Sequence, residues 1–90
     1  ATKTIYSAGY RRLVHQLRAR REKAGLTQAA LSSKLGWPQQ RLSAVEAGAR
    51  RLDVLEFLHL TAHLGLTPED AIGMAAAASS PSPSSGPAEA

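Results

Sequence analysis

The chain of 90 residues has no cysteine. Disulfides and thiolate metal sites are therefore excluded as sources of stability, which suits a reducing compartment. No apolar run approaches the length needed to cross a bilayer, and the opening ATKTIYSAGYRR lacks the apolar stretch of a signal peptide. A cytoplasmic protein with no membrane partner is expected. No segment alternates apolar and polar residues well enough for a strand, and no internal repeat is present. Catalytic signatures are missing too, with no Gly-rich phosphate loop and no nucleophile elbow. The expectation is a protein that is not an enzyme and holds no cofactor.

Acid is scarce in the first part of the chain. All eleven Lys and Arg lie between Lys3 and Arg51, against Glu22 and Glu46 alone, a net +9. From Leu52 onward the sign reverses, with Asp53, Glu56, Glu69, Asp70 and Glu89 and no base. Such segregation points to one face for a polyanion and another for something else. At this length a single small domain is expected, spanning residues 7–78 between a flexible arm at 1–6 and a disordered Ser/Pro-rich tail at 79–90.

The organising stretch is TQAALSSKLGWPQQRLSAVEAG, residues 27–48. It reads as two helices of about eight residues joined by a tight turn, each too short to stand alone. Thr27 caps the first and Gly36 stops it. The second starts near Pro38 or Gln39 and stops at Gly48. Leu31 and Leu35, then Leu42 and Val45, give each an inner face, and Trp37 closes the space between them. Gln39, Gln40, Arg41, Ser43 and Ala44 are left to face outward, and Glu46 reads as an ion-pair partner for an arginine of the preceding helix.

That preceding helix runs from about Ser7 to Ala24, with Tyr10, Leu13, Val14, Leu17 and Ala24 in one stripe. Downstream, Asp53 caps a segment in which Val54, Leu55, Phe57, Leu58, Leu60, Ala62 and Leu64 give a broad apolar face. Thr67, Pro68 and Asp70 mark the start of a last helix carrying Ala71, Ile72 and Met74. His59 and His63 are spaced as a zinc pair would be, but HLTAH lacks the glutamate of hydrolytic zinc helices. They read as surface histidines, and no metal site is expected.

Between Leu17 and Ile72 the residues LeuArg at 17–18, ArgGlu at 21–22, GlyLeuThrGln at 25–28, Leu31, LeuGly at 35–36, Gln39, Ser43, Glu46, Gly48 and ArgArgLeuAspValLeuGluPhe at 50–57 fall in register. This pattern resembles the Cro/CI-type (XRE) helix-turn-helix family of phage and bacterial repressors. The resemblance implies an all-α, compact five-helix lambda-repressor-like DNA-binding domain, helices 2 and 3 forming the helix-turn-helix. It implies a sequence-specific transcriptional regulator, more often a repressor. Its alternatives are an antitoxin that also holds a toxin, or a helical protein-interaction module without DNA binding.

In such a fold the second helix of the pair enters the major groove. Gln39 and Gln40 then read base edges, a carboxamide suiting adenine. Arg41 contacts guanine or phosphate, while Ser43 and Ala44 face a base edge. Thr27 and Gln28 meet a phosphate, and Gln28 also braces Gln39. Arg50 and Arg51 hold the flanking backbone, and Arg21 is the ionic partner of Glu46. The implied partner is double-stranded DNA with a two-fold operator, half-sites lying about 34 Å apart. A homodimer joined through Ile72 and Met74, nucleoid-associated, follows from that symmetry. Three positions depart from the usual pattern. Pro38 replaces a capping Ser or Thr, Ser32 a small apolar residue, and Trp37 a valine; each of the first two costs up to about 1 kcal/mol if uncompensated.

Overall fold

Caps and stops written into the sequence mark out the helices one by one. In a computed structural model, which describes residues 2–79, they are α1 (Thr2–Lys23), α2 (Gln28–Leu35), α3 (Gln39–Glu46), α4 (Val54–His63) and α5 (Pro68–Ser79). No strand occurs among the described residues. Thr27 Oγ1 accepts the Ala30 N–H at 3.0 Å, and Thr67 Oγ1 accepts that of Asp70 at 3.0 Å. Asp53 and Glu56 form a reciprocal box, the Asp53 carboxylate taking the Glu56 N–H at 2.7 Å and the Glu56 carboxylate taking the Asp53 N–H at 3.0 Å. Gly36, at φ 77°, turns the chain left-handed so that the Trp37 N–H reaches the Ser32 carbonyl at 2.9 Å.

Two expectations need correction. The arm expected over residues 1–6 is helical from Thr2, because no proline interrupts that stretch and extending a helix already held by packing costs little. The apolar face of α4 is narrower than its composition suggests. Phe57, Leu60 and the buried Thr61 form the packed stripe, while Val54 and Leu55, in the first turn, are 66% and 78% exposed. The tail expected at 79–90 lies outside the described residues beyond Ser79, which closes α5.

The core gathers Val14 and Leu17 of α1, Leu31 and Leu35 of α2, Leu42 and Val45 of α3, Phe57 and Leu60 of α4 and Ala71 of α5. On α1 the stripe is completed by Arg21 rather than by Ala24, which is exposed. Burying such aliphatic side chains is worth about 1.5–3 kcal/mol each, which holds the two eight-residue helices that could not survive alone. Ser32, though 2% exposed, is compensated: its hydroxyl donates back to the carbonyls of Gln28 and Ala29 at 2.7 and 3.1 Å. At the far side α1 and α5 touch at Gly9, where an added Cβ would lie 3.2 Å from the Ala78 carbonyl oxygen. Arg12 donates to the same oxygen from Nε and Nη2 at 3.1 and 2.6 Å.

Candidate nucleic-acid interface

α3 is anchored by its inner face and open on its outer one. Leu42 and Val45 are fully buried, whereas Gln39, Gln40, Ser43 and Ala47 are exposed and Ala44 half-buried; together these five line one shallow surface. Pro38 caps α3 in extended conformation, φ −63° and ψ 145°, without a side-chain hydrogen bond. The turn therefore adds no polar side chain across the helix start, and the glutamines stand clear.

Behind this helix lies a buried charge network. Arg21 meets Glu46 side on, Nε to Oε2 at 2.7 Å and Nη2 to Oε1 at 3.0 Å, and its Nη1 donates to the Leu26 carbonyl at 2.8 Å. The hydrogen bonds that Arg21 donates to Glu46 raise its pKa above the ordinary value although burial opposes the charge. Gln28 joins the network, its Nε2 donating to Glu46 Oε1 at 2.9 Å. The expected brace from Gln28 to Gln39 is replaced by this bond, because the carboxylate is a stronger acceptor than an exposed amide. Thr27 is occupied as the cap of α2.

Arg41 does not face outward with its neighbours. Its guanidinium lies 4.3 Å from the centroid of the Trp37 ring, and Nη2 donates to the Glu56 carboxylate of α4. An acid and an aromatic face within reach outweigh solvation of the free cation, so the expected base-reading position is not the one adopted. Glu56 also receives Arg50 Nη2 at 3.5 Å. Its carboxyl is held below the usual carboxylate range, first by the Asp53 N–H and then by the two arginines.

The basic loop after α3 is fastened to α1. Tyr10 Oη donates to the Arg50 carbonyl at 2.5 Å, and the Arg51 guanidinium sits 5.1 Å from the Tyr10 ring centroid. Burial pushes the Tyr10 hydroxyl above its ordinary pKa. Arg50 and Arg51 remain exposed at this rim.

Of the residues expected at a dimer contact, Ile72 is 51% exposed, but Met74 is half-buried against the core. Residues 72 and 74 are two apart and so lie on opposed sides of a helix. His59 and His63 pack edge to face, with His59 Nε2 at 3.0 Å from the Leu35 carbonyl oxygen and His63 Nδ1 at 3.0 Å from that of His59. Among the described residues no three His, Cys, Asp or Glu side chains are grouped as a metal site would require, and no helix is long and apolar enough to cross a membrane.

Sequence reasoning missed Glu56 as the holder of Arg41, and Tyr10 as the tether of the loop after α3. The Asp53-x-x-Glu56 spacing of a capping box was available as a signal for the first. Nothing local signals a tyrosine that reaches a carbonyl forty residues away.

The profile described as a helix-turn-helix domain matches residues 12–71. Among solved structures, the chain is similar to an XRE-family like protein from Pseudomonas syringae pv. tomato str. DC3000, at 40% identity and a TM-score of 0.77, over 86% of this chain and 94% of that one. No curated protein matches.

Proposed function

Because the chain belongs to the XRE-type helix-turn-helix family of DNA-binding transcription regulators, we propose that it is a sequence-specific repressor that reads the major groove with α3 and acts by occupying its site. The observation that carries this reading is the exposed row Gln39, Gln40, Ser43 and Ala44 on a helix whose other face, at Leu42 and Val45, is fully buried. A rigid helix presenting carboxamides at its start suits adenine edges, which offer a donor and an acceptor side by side. Gln28 and Thr27, at the start of α2, and Arg50 and Arg51, at the rim, supply phosphate contacts that add affinity without discrimination. Such a role belongs in the cytoplasm, at the nucleoid.

Selection on random duplexes tests it. Gln39→Ala is expected to cost about 1–3 kcal/mol on the selected site and to relax the preference at one base pair. Arg50→Ala is expected to weaken all sequences alike and to lower the salt slope by about one. Equal binding by wild type and both variants would sink the assignment.

One such domain covers one half-site, so the same reading includes a homodimer on a two-fold operator. The face offered for it is the apolar groove between α1 and α5, lined by Tyr10, Leu13, Ile72 and Ala75. Ile72→Asp is expected to leave a folded monomer in sedimentation at tens of micromolar. A wild-type monomer at that concentration, with and without DNA, would remove the dimer.

A further inference from the structure

Arg41 is held at a compromise. Its Nη2 is paired with Glu56 and its guanidinium carbon lies over the Trp37 ring, yet its Nε is buried without a hydrogen-bond partner, the single such side-chain atom among the described residues. A buried donor left unmade is costly, more so on a charged group. Glu56, by contrast, has other partners. The Asp53 N–H lies at 3.0 Å and Arg50 Nη2 at 3.5 Å, and neither depends on Arg41. Arg41 also stands in the first turn of α3, immediately after Gln39 and Gln40. A guanidinium there, released from Glu56, lies on the side of the domain that the glutamines occupy.

We propose that Glu56 is a latch, which holds Arg41 against Trp37 in the free protein and yields it to a DNA phosphate, so that Arg41 is a backbone contact made only in the complex. This rests on the DNA-binding reading above. The exchange removes one of several partners from Glu56 and gives Arg41 a bidentate anion whose oxygens match its fork of donors. Breaking the internal pair diminishes the affinity for every duplex equally, since the competent position of Arg41 is only fractionally populated beforehand. The latch therefore restrains background binding and leaves the base preference to the glutamines.

Glu56→Gln separates charge from structure, because glutamine still accepts the Asp53 N–H in a capping box. With a random-sequence duplex of about 30 base pairs, titrated between about 50 and 200 mM salt, the variant is expected to bind about 3- to 10-fold tighter than wild type, the scale of a partly exposed charged pair. Arg41→Ala is expected to lower the salt slope by about one and to abolish the gain from Glu56→Gln. Trp37, the sole tryptophan, reports the movement directly. Its emission is expected to change on adding duplex to wild type, to lie near the bound value already in free Glu56→Gln, and to lose most of that change in Arg41→Ala.

An unchanged salt slope in Arg41→Ala, or an equal gain from Glu56→Gln with and without Arg41, would overturn the latch while leaving DNA binding intact. Absence of salt-dependent binding by wild type would overturn both. Should Arg41→Ala melt below the assay temperature, Arg41→Gln, whose stem still covers Trp37, carries the same expectations.

Discussion

Glu46→Ala is expected to lower the free energy of unfolding by about 3–5 kcal/mol, as breaking one side of a buried ion pair does. The Arg21 and Glu46 side chains are 9% and 5% exposed, so the arginine left behind would keep its charge with little water to solvate it. Gln28 would lose its acceptor in the same step. Against a total of about 5–15 kcal/mol for a small domain, this approaches loss of the fold. Urea unfolding measures it, and the surface pair Arg18–Glu22, at 57% and 55% exposure, is the internal comparison. Arg18→Ala is expected to cost about 0.5 kcal/mol or less. Replacing Arg21 and Glu46 together by Met and Leu is expected to restore most of the loss, because no unpaired charge remains. A cost for Glu46→Ala no larger than that for Arg18→Ala would mean that the pair contributes nothing.

Leu42→Ala ranks second. The side chain is fully buried on the inner face of α3, so truncation leaves a cavity that an already packed core fills only in part. About 2–5 kcal/mol is expected, read as a lower urea midpoint at unchanged slope. Leu42→Met, close in volume, is expected to cost less than about 1.5 kcal/mol. Leu42 is also the anchor that fixes how far α3 stands out from the domain. DNA binding by the alanine variant, measured where it remains folded, should therefore fall although the exposed residues are intact. Full retention of binding would show that the outer row does not depend on this anchor.

Legibility in the sequence followed the range over which each feature is decided. Thr27, Asp53 and Thr67 as caps, and Gly36 as a stop, obey rules that reach three or four residues, and each stands where those rules put it. The pairing of Arg21 with Glu46 spans twenty-five residues and was accessible only through resemblance to a family. Arg41 was misplaced because helical periodicity gives the direction of a Cα–Cβ bond and not the path of a long side chain. Its path is decided by Trp37 and by Glu56, fifteen residues on. Val54 and Leu55 were assigned to the core on composition, yet the first turn of α4 stands beyond the stripe that packs. The direction of charge segregation along the chain was plain, but acidic Glu56 lies among the basic residues of the candidate interface and not on an opposite face.

The closure of α1 on α5, through Gly9 and the Arg12 bonds to Ala78, also sets a schedule for folding. Sixty-six positions separate Arg12 from Ala78. During synthesis at about 5–20 residues per second, α1 leaves the ribosome seconds before the helix that covers it. Until then α1 lacks its contacts with Ala78 at Gly9 and Arg12, and the core on which the helix-turn-helix pair rests lacks Ala71. α5 thus completes, through Ala71, a core that α1 to α4 have already begun to build.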